Sequence, residues 1–411
     1  MHFIFKLAAT FIFLFSYFLP WLFVPGELDV KQINDTYKVY KEGYDKFLAQ
    51  PKPDKEAHTK LLGEFKTLYE KHDLENLKRQ DFLDETKTKK FEEGLDEFAA
   101  VFQRFDILCE GGLVAGDVDK LLINEDDITE VLSIDWEKTK EKDKFAYDSR
   151  ALMQYLVLVA EFYKTQGDWP KLRKTYERMY YVIEPLWQGY NTANSMTGVA
   201  VNQMSKESLL RSLLILENPD LLFVRNMLMT QASPLDSGKR VMIGYLAGKA
   251  DFLTYENAKI ISQASSDEYD IMTRIFDSSF FALIGKRYFK RERLIFCHIM
   301  QEAVESFDEL KKGVSLSEIN NQFDTYHGTL SIILVFDFVS MRKRSFDAHT
   351  LNRAVLKTLD VELARRQSGG ALPYEIPVDE KRKILVSENG GEIVEIEKLR
   401  EASNNAEKQK S

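Results

Sequence analysis

Apolar positions along this chain recur mainly at spacings of three and four, the period of a helix that buries one face. Val30, Ile33, Tyr37, Tyr40, Tyr44 and Phe47 form one such stripe, a heptad-like seam that predicts a helix in need of a partner. Pro51 and Pro53 close it, because a proline removes a rung of the backbone ladder. A second helix is expected from about Asp54, with Leu61, Phe65 and Leu68 on one face. A third carries Phe91, Leu95, Phe98, Phe102 and Phe105 and ends at Gly111-Gly112. Stripes of this kind fill cores, so residues 27–111 read as one antiparallel helical segment.

The same period returns after Ser149. Leu156, Val159, Ala160 and Tyr163 share a face, Gly167-Asp168-Trp169 turns the chain, Pro170 opens a new helix, and Leu172, Tyr176 and Met179 line its inner side before Pro185. A helix is expected over Ser205–Leu216, then a break at Asn218-Pro219 that reads as N-cap plus N1, then Leu221–Met229. Capping boxes stand at Ser265/Glu268 and Ser315/Glu318, the latter after a Lys311-Lys312-Gly313 helix stop. Residues 149–368 therefore read as an α-α array ending in a long helix through Val355–Arg366. The pattern then changes: Ile384-Leu385-Val386 and Ile393-Val394-Glu395-Ile396 flank Asn389-Gly390-Gly391, which predicts a β-hairpin cap over residues 369–398. Residues 399–411 are a polar tail.

Two stretches break the amphipathic rhythm. Residues 112–148 gather Asp117, Asp119, Glu125, Asp126, Asp127, Glu130 and Asp135. Leu121 follows where an EF-hand loop needs a further oxygen ligand, so this is read as a solvated acidic connector. Leu7–Val24 is uncharged throughout, and its roughly 18 residues are enough for a helix to cross the hydrocarbon core. Lys6 precedes it and Glu27 and Asp29 follow it, which favours a cytoplasmic N-terminus and an extracytoplasmic body. The exit from the segment is rich in Phe and Leu and offers a poor cleavage pattern, so residues 1–26 are expected to be an uncleaved anchor, with a signal peptide as the alternative. The 27–111 segment is then membrane-proximal.

Composition agrees with this fold class. Only 20 glycines and 10 prolines occur in 411 residues, with 44% hydrophobic and 29% charged positions, a mixture suited to helices. The net charge of −9 is dispersed, which argues against a nucleic-acid partner. Cys109 and Cys297 lie far apart and belong to no CxxC pair, so a structural zinc site is excluded and two buried free thiols are expected.

The stretch Leu152–Pro185, with its small Ala160 and its Gly-Asp-aromatic turn, resembles one tetratricopeptide-type hairpin. Leu172 stands where that pattern has a smaller residue. The wider layout, an anchor, a helical body and a Gly369–Pro377 loop leading into strands, resembles a loose class of membrane-anchored bacterial helical-repeat proteins. That resemblance implies an architecture and brings no activity, cofactor or site residue with it.

Motifs for chemistry fail on spacing. Gly244 and Gly248 are separated by three residues and Ala250 follows Lys249, so no Walker loop forms. The six histidines include no HExxH, and adjacent Cys297 and His298 point to different helix faces. No cofactor or metal is expected. Two surfaces remain as candidates. Trp169, Tyr180, Tyr181, Trp187 and Tyr190 belong to an aromatic run suited to peptides or sugars. Lys286, Arg287, Lys290 and Arg291 form a patch that could meet an anionic polymer or headgroup. The reading is a membrane-anchored scaffold that binds protein partners. Its alternatives are an envelope-polysaccharide enzyme or binding protein that uses carboxylates such as Asp168 and Glu184, and an accessory part of a secretion or pilus-like apparatus.

Overall fold

The computed structural model describes residues 28–49, 55–74, 85–110, 144–190, 192–213, 216–251, 253–254, 256, 279–315, 319, 338–369, 378–379, 384–386 and 392–394. These residues are mainly helical: α1 Val30–Leu48, α2 Lys55–Lys71, α3 Glu85–Glu110, α4 Lys144–Gln166, α5 Trp169–Gln188, α6 Thr192–Ser212, α7 Asn218–Thr230, α8 Pro234–Lys249, α9 Ser279–Lys311 and α10 Phe338–Gln367. Three short strands, β1 Val378–Asp379, β2 Ile384–Val386 and β3 Glu392–Val394, pair antiparallel in the order β1-β2-β3. The expected turn at Asn389–Gly391 lies outside the described residues, as do the 1–26 anchor, most of the 112–148 connector, Ser265/Glu268 and the 399–411 tail. Among the described residues no helix is long and apolar enough to cross a membrane.

The chain divides into two compact units, one formed by residues 1–50, 119–139 and 239–340, the other by residues 51–118, 140–238 and 341–411. This grouping departs from the sequence expectation. The 27–111 segment is split after residue 50, and residues 239–340 separate from the rest of the 149–368 array. An apolar stripe shows that a helix needs a partner without naming it. For α1 the partner is α9, more than two hundred residues away.

In the first unit Asp29 caps α1 by accepting from the Gln32 N–H at 2.9 Å. Ile33, Tyr37 and Tyr44 are its buried face. Gln301 on α9 donates to the Ile33 carbonyl at 2.6 Å, and the Arg293 guanidinium lies 4.8 Å from the Tyr37 ring centre. Arg293 also donates to the Ala250 carbonyl at 3.1 Å, tying the end of α8 to α9. α9 stops where expected: Gly313 has φ +93°, Val314 N–H bonds to the Glu309 carbonyl and Gly313 N–H to the Leu310 carbonyl, a Schellman cap that requires the left-handed residue.

In the second unit α2, α3 and α4 meet through rings. Tyr155 stacks on Phe98 with centroids 4.2 Å apart, and Phe65 and Phe102 each lie 5.5 Å away. Arg178 on α5 holds Asp106 on α3 through two bonds of 2.9 and 2.7 Å and covers the Phe102 ring at 4.5 Å. α4 and α5 share a turn without slack. Gly167 has φ +68°, Asp168 N–H bonds to the Tyr163 carbonyl, and the Asp168 carboxylate then accepts from Lys171 N–H as the cap of α5. The closing role expected of Pro185 is not observed, because α5 runs through that residue to Gln188. α10 packs back on this unit: Val355, Leu359 and Leu363 join its core, and Arg366 donates to the Leu213 and Leu216 carbonyls.

Candidate functional site

The aromatic run divides between core and surface. Trp169, Tyr180, Tyr181 and Tyr190 are partly exposed, but Trp187 is 0% exposed and belongs to the core. Trp187 is therefore corrected out of the binding surface. Its burial follows from α5 continuing past Pro185, which carries the indole under α6. There a Cβ added at Gly198 would stand 2.4 Å from the Trp187 Nε1, so only glycine leaves room for the ring. Tyr180 and Tyr181 meet edge to face at 5.7 Å, both partly exposed, with Tyr181 also packed against the core. The two carboxylates that a polysaccharide enzyme would use are engaged in structure. Asp168 is the α5 cap, and Glu184 accepts from Ala232 N–H at 2.9 Å and from Gln188 at 3.0 Å.

In the first unit the cationic patch also loses a member. Lys286 is exposed and pairs with Glu256 at 3.1 Å, and Arg287 and Lys290 are exposed. Arg291 is only 9% exposed, with its guanidinium 2.8 Å from the buried Glu292. It sits one helical turn before Leu294 and Ile295, on their inward face. Cys297 is a free buried thiol whose pKa burial pushes up to about 12, as expected of a core cysteine. The side chain of Cys109 lies outside the described residues. His298 turns instead to Glu302, 3.3 Å away. Among the described residues no cluster of His, Cys, Asp or Glu is placed to hold a metal ion.

The least expected chemistry lies on α6. Asn194, Ser195, Gly198, Asn202, Ser205, Lys206, Ser208 and Ser212 are all buried along this helix. Some of these groups are satisfied across the helix packing: Ser195 Oγ meets Ser237 Oγ on α8 at 2.8 Å, and the Tyr176 hydroxyl donates to Ser212 Oγ at 2.7 Å. Lys206 is different. It is 1% exposed, and Nζ donates to Gln231 Oε1 at 3.0 Å. Burial alone draws its amine down from 10.5 to about 7. One turn before it, Asn202 is 0% exposed, and neither Nδ2 nor Oδ1 has a hydrogen-bond partner among the described residues. The same holds for Gln231 Nε2.

Above these groups runs the short α7–α8 connector, Gln231 to Ser233, which is partly exposed. Side chains from the two helices before it clasp this end of α7 and the connector. Glu184 on α5 holds Ala232 N–H, Lys206 on α6 holds Gln231, and the Tyr180 hydroxyl bonds with Thr230. Of the aromatic run predicted from sequence, Tyr180 thus borders a polar, buried position that the sequence reading missed. No family model matches this chain, and no match was found among curated proteins or solved structures.

Proposed function

We propose that this chain is a membrane-tethered helical scaffold, held by the Leu7–Val24 segment with its body on the extracytoplasmic side, that binds a protein partner along the outer edge of α5. The observation that carries this reading is the pair Tyr180 and Tyr181, partly exposed and set edge to face on a helix fixed at its start by Asp168 and at its far end by Glu184. Flat rings with a polar tip on a rigid helix give contact area at low entropic cost, the usual anchor of a protein interface. The structural duties of Asp168 and Glu184 weigh against the polysaccharide-cleaving alternative, which needs a pair of uncommitted carboxylates. The helical-repeat resemblance accords with a binding role.

Cross-linking in native membranes, followed by identification of the captured protein and reconstitution with the purified chain, tests the reading. Tyr181→Ala is expected to weaken that reconstituted complex about tenfold or more, the loss typical of an aromatic anchor, without changing the helical circular dichroism. Unchanged affinity would remove α5 from the interface. Intact-mass measurement of the membrane-extracted protein tests the tether separately, since a mature N-terminus near Glu27 would refute it.

A further inference from the structure

We propose that Lys206, Asn202 and Gln231 form a buried binding site for a small monocarboxylate, closed by the Gln231–Ser233 connector. The case begins with position. Asn202 and Lys206 are four residues apart on α6, so their side chains lie on one face, one above the other. Gln231 is fixed to the same place by the 3.0 Å bond from Lys206. Nζ donates to Gln231 Oε1, so it is this oxygen of the carboxamide that faces the lysine. Its Nε2, in the same planar carboxamide, is buried and has no partner among the described residues.

The hydrogen-bonding inventory then selects the ligand. A protonated Lys206 has three N–H groups and uses one on Gln231. Asn202 Nδ2 and Gln231 Nε2 add further buried donors, while Asn202 Oδ1 is the one unmatched acceptor of this group. A buried position so rich in donors calls for an occupant rich in acceptors. A carboxylate has two oxygens and several lone pairs, and no donor of its own. Water brings as many donors as acceptors and leaves the excess in place.

Charge narrows the class further. Among the described residues no carboxylate pairs with Lys206, whose only perturbation comes from burial. A monoanion would neutralise one ammonium and restore the charge to it, whereas a dianion such as phosphate would leave a net buried charge. The remaining acceptor, Asn202 Oδ1, would favour an acid that carries a hydroxyl. Access is by displacement of the connector, whose three residues are non-helical and partly exposed, with Tyr180 and Glu184 at its edge. Tyr180 borders both this site and the α5 surface, but the site is built from Lys206, Asn202 and Gln231 and does not rest on the protein-binding reading.

Titration calorimetry of the full chain with sodium acetate and sodium glycolate, against sodium chloride at matched ionic strength, tests the proposal. The expected result is saturable, one-to-one binding of both carboxylates, with glycolate tighter, and no saturable heat from chloride. Lys206→Met and Asn202→Leu, each close in volume to the native residue, are each expected to weaken glycolate by about tenfold or more, the loss of one charge-assisted or buried hydrogen bond. The Asn202 variant keeps the test decisive if the lysine variant does not fold. Absence of saturable carboxylate binding by the native chain, or binding unaltered in a folded variant, would overturn the site.

Discussion

Phe65, Phe98, Phe102 and Tyr155 close together where α2, α3 and α4 pack, while α6 in the same unit turns Asn202, Ser205 and Lys206 inward. Both places are sealed from solvent, yet they are held in different ways. The rings gain from burial in any orientation that fills space, at about 25 cal/mol per Å² of apolar surface. The α6 groups gain only where each donor finds an acceptor, and a buried polar group without one costs about 1–3 kcal/mol. One region is therefore indifferent to pH and sensitive to volume. The other is sensitive to protonation and to the identity of single atoms.

The sharpest way to break that comparison is to titrate the two regions. Lys206 holds its proton only up to about pH 7 when folded, against 10.5 for an ordinary lysine. Below pH 7 both states are protonated and the full penalty of the buried charge is present. Between 7 and 10.5 the unfolded chain binds more protons, so stability rises with pH, by roughly 5 kcal/mol across the whole window. Urea unfolding of the native chain and of Lys206→Met at several pH values should therefore give curves that diverge toward neutral pH, with the methionine variant relatively more stable there. Parallel curves would mean that Lys206 is not desolvated.

Phe98→Ala comes next and should cost about 4 kcal/mol, the usual toll for emptying a ring-sized volume from a packed core. Its effect should be the same at pH 7 and pH 9 in the same denaturation experiment, and a pH-dependent loss would blur the contrast between the regions. Gly198→Ala should cost about 2 kcal/mol, because the new methyl meets the rigid Trp187 ring rather than a flexible chain end. Thermal unfolding followed by Trp fluorescence would report it, and a neutral result would show that the α5–α6 approach is looser than 2.4 Å implies. The smallest effect is expected at the turn before α5. Asp168→Ala removes a cap and should cost about 1 kcal/mol, measurable as a shift in urea midpoint with an unchanged slope.

The same contrast explains what could be read from the sequence. Phe91, Phe98, Phe102 and Phe105 announced α3 because apolar residues at helical spacing have one physical meaning, and all four are buried. Gly313 and Gly167 announced helix ends because both adopt a left-handed backbone that other residues resist. α6 had no such announcement: with polar residues facing inward, its inner and outer faces look alike. The available signal was the run of small residues, Ala193, Ser195, Gly198, Ala200, Ser205 and Ser208, which marks a helix that neighbours approach closely. Asn218 was expected to cap α7, but the helix includes it, and its side chain accepts from Arg366 at 3.2 Å. No local pattern encodes a partner almost one hundred and fifty residues away. Of the candidate residues, Tyr180 and Tyr181 are partly exposed, while Trp187 and Arg291 lie in the interior through helix phase.

Asp168 completes the cap of α4 with its N–H and begins the cap of α5 with its carboxylate. No residue between the two helices is left to absorb independent motion. Opening the end of α4 therefore releases the start of α5, so in native-state hydrogen exchange the amides of Asp168 and Lys171 should become exposed together as one cooperative unit. An insertion at this point would uncouple the two helices.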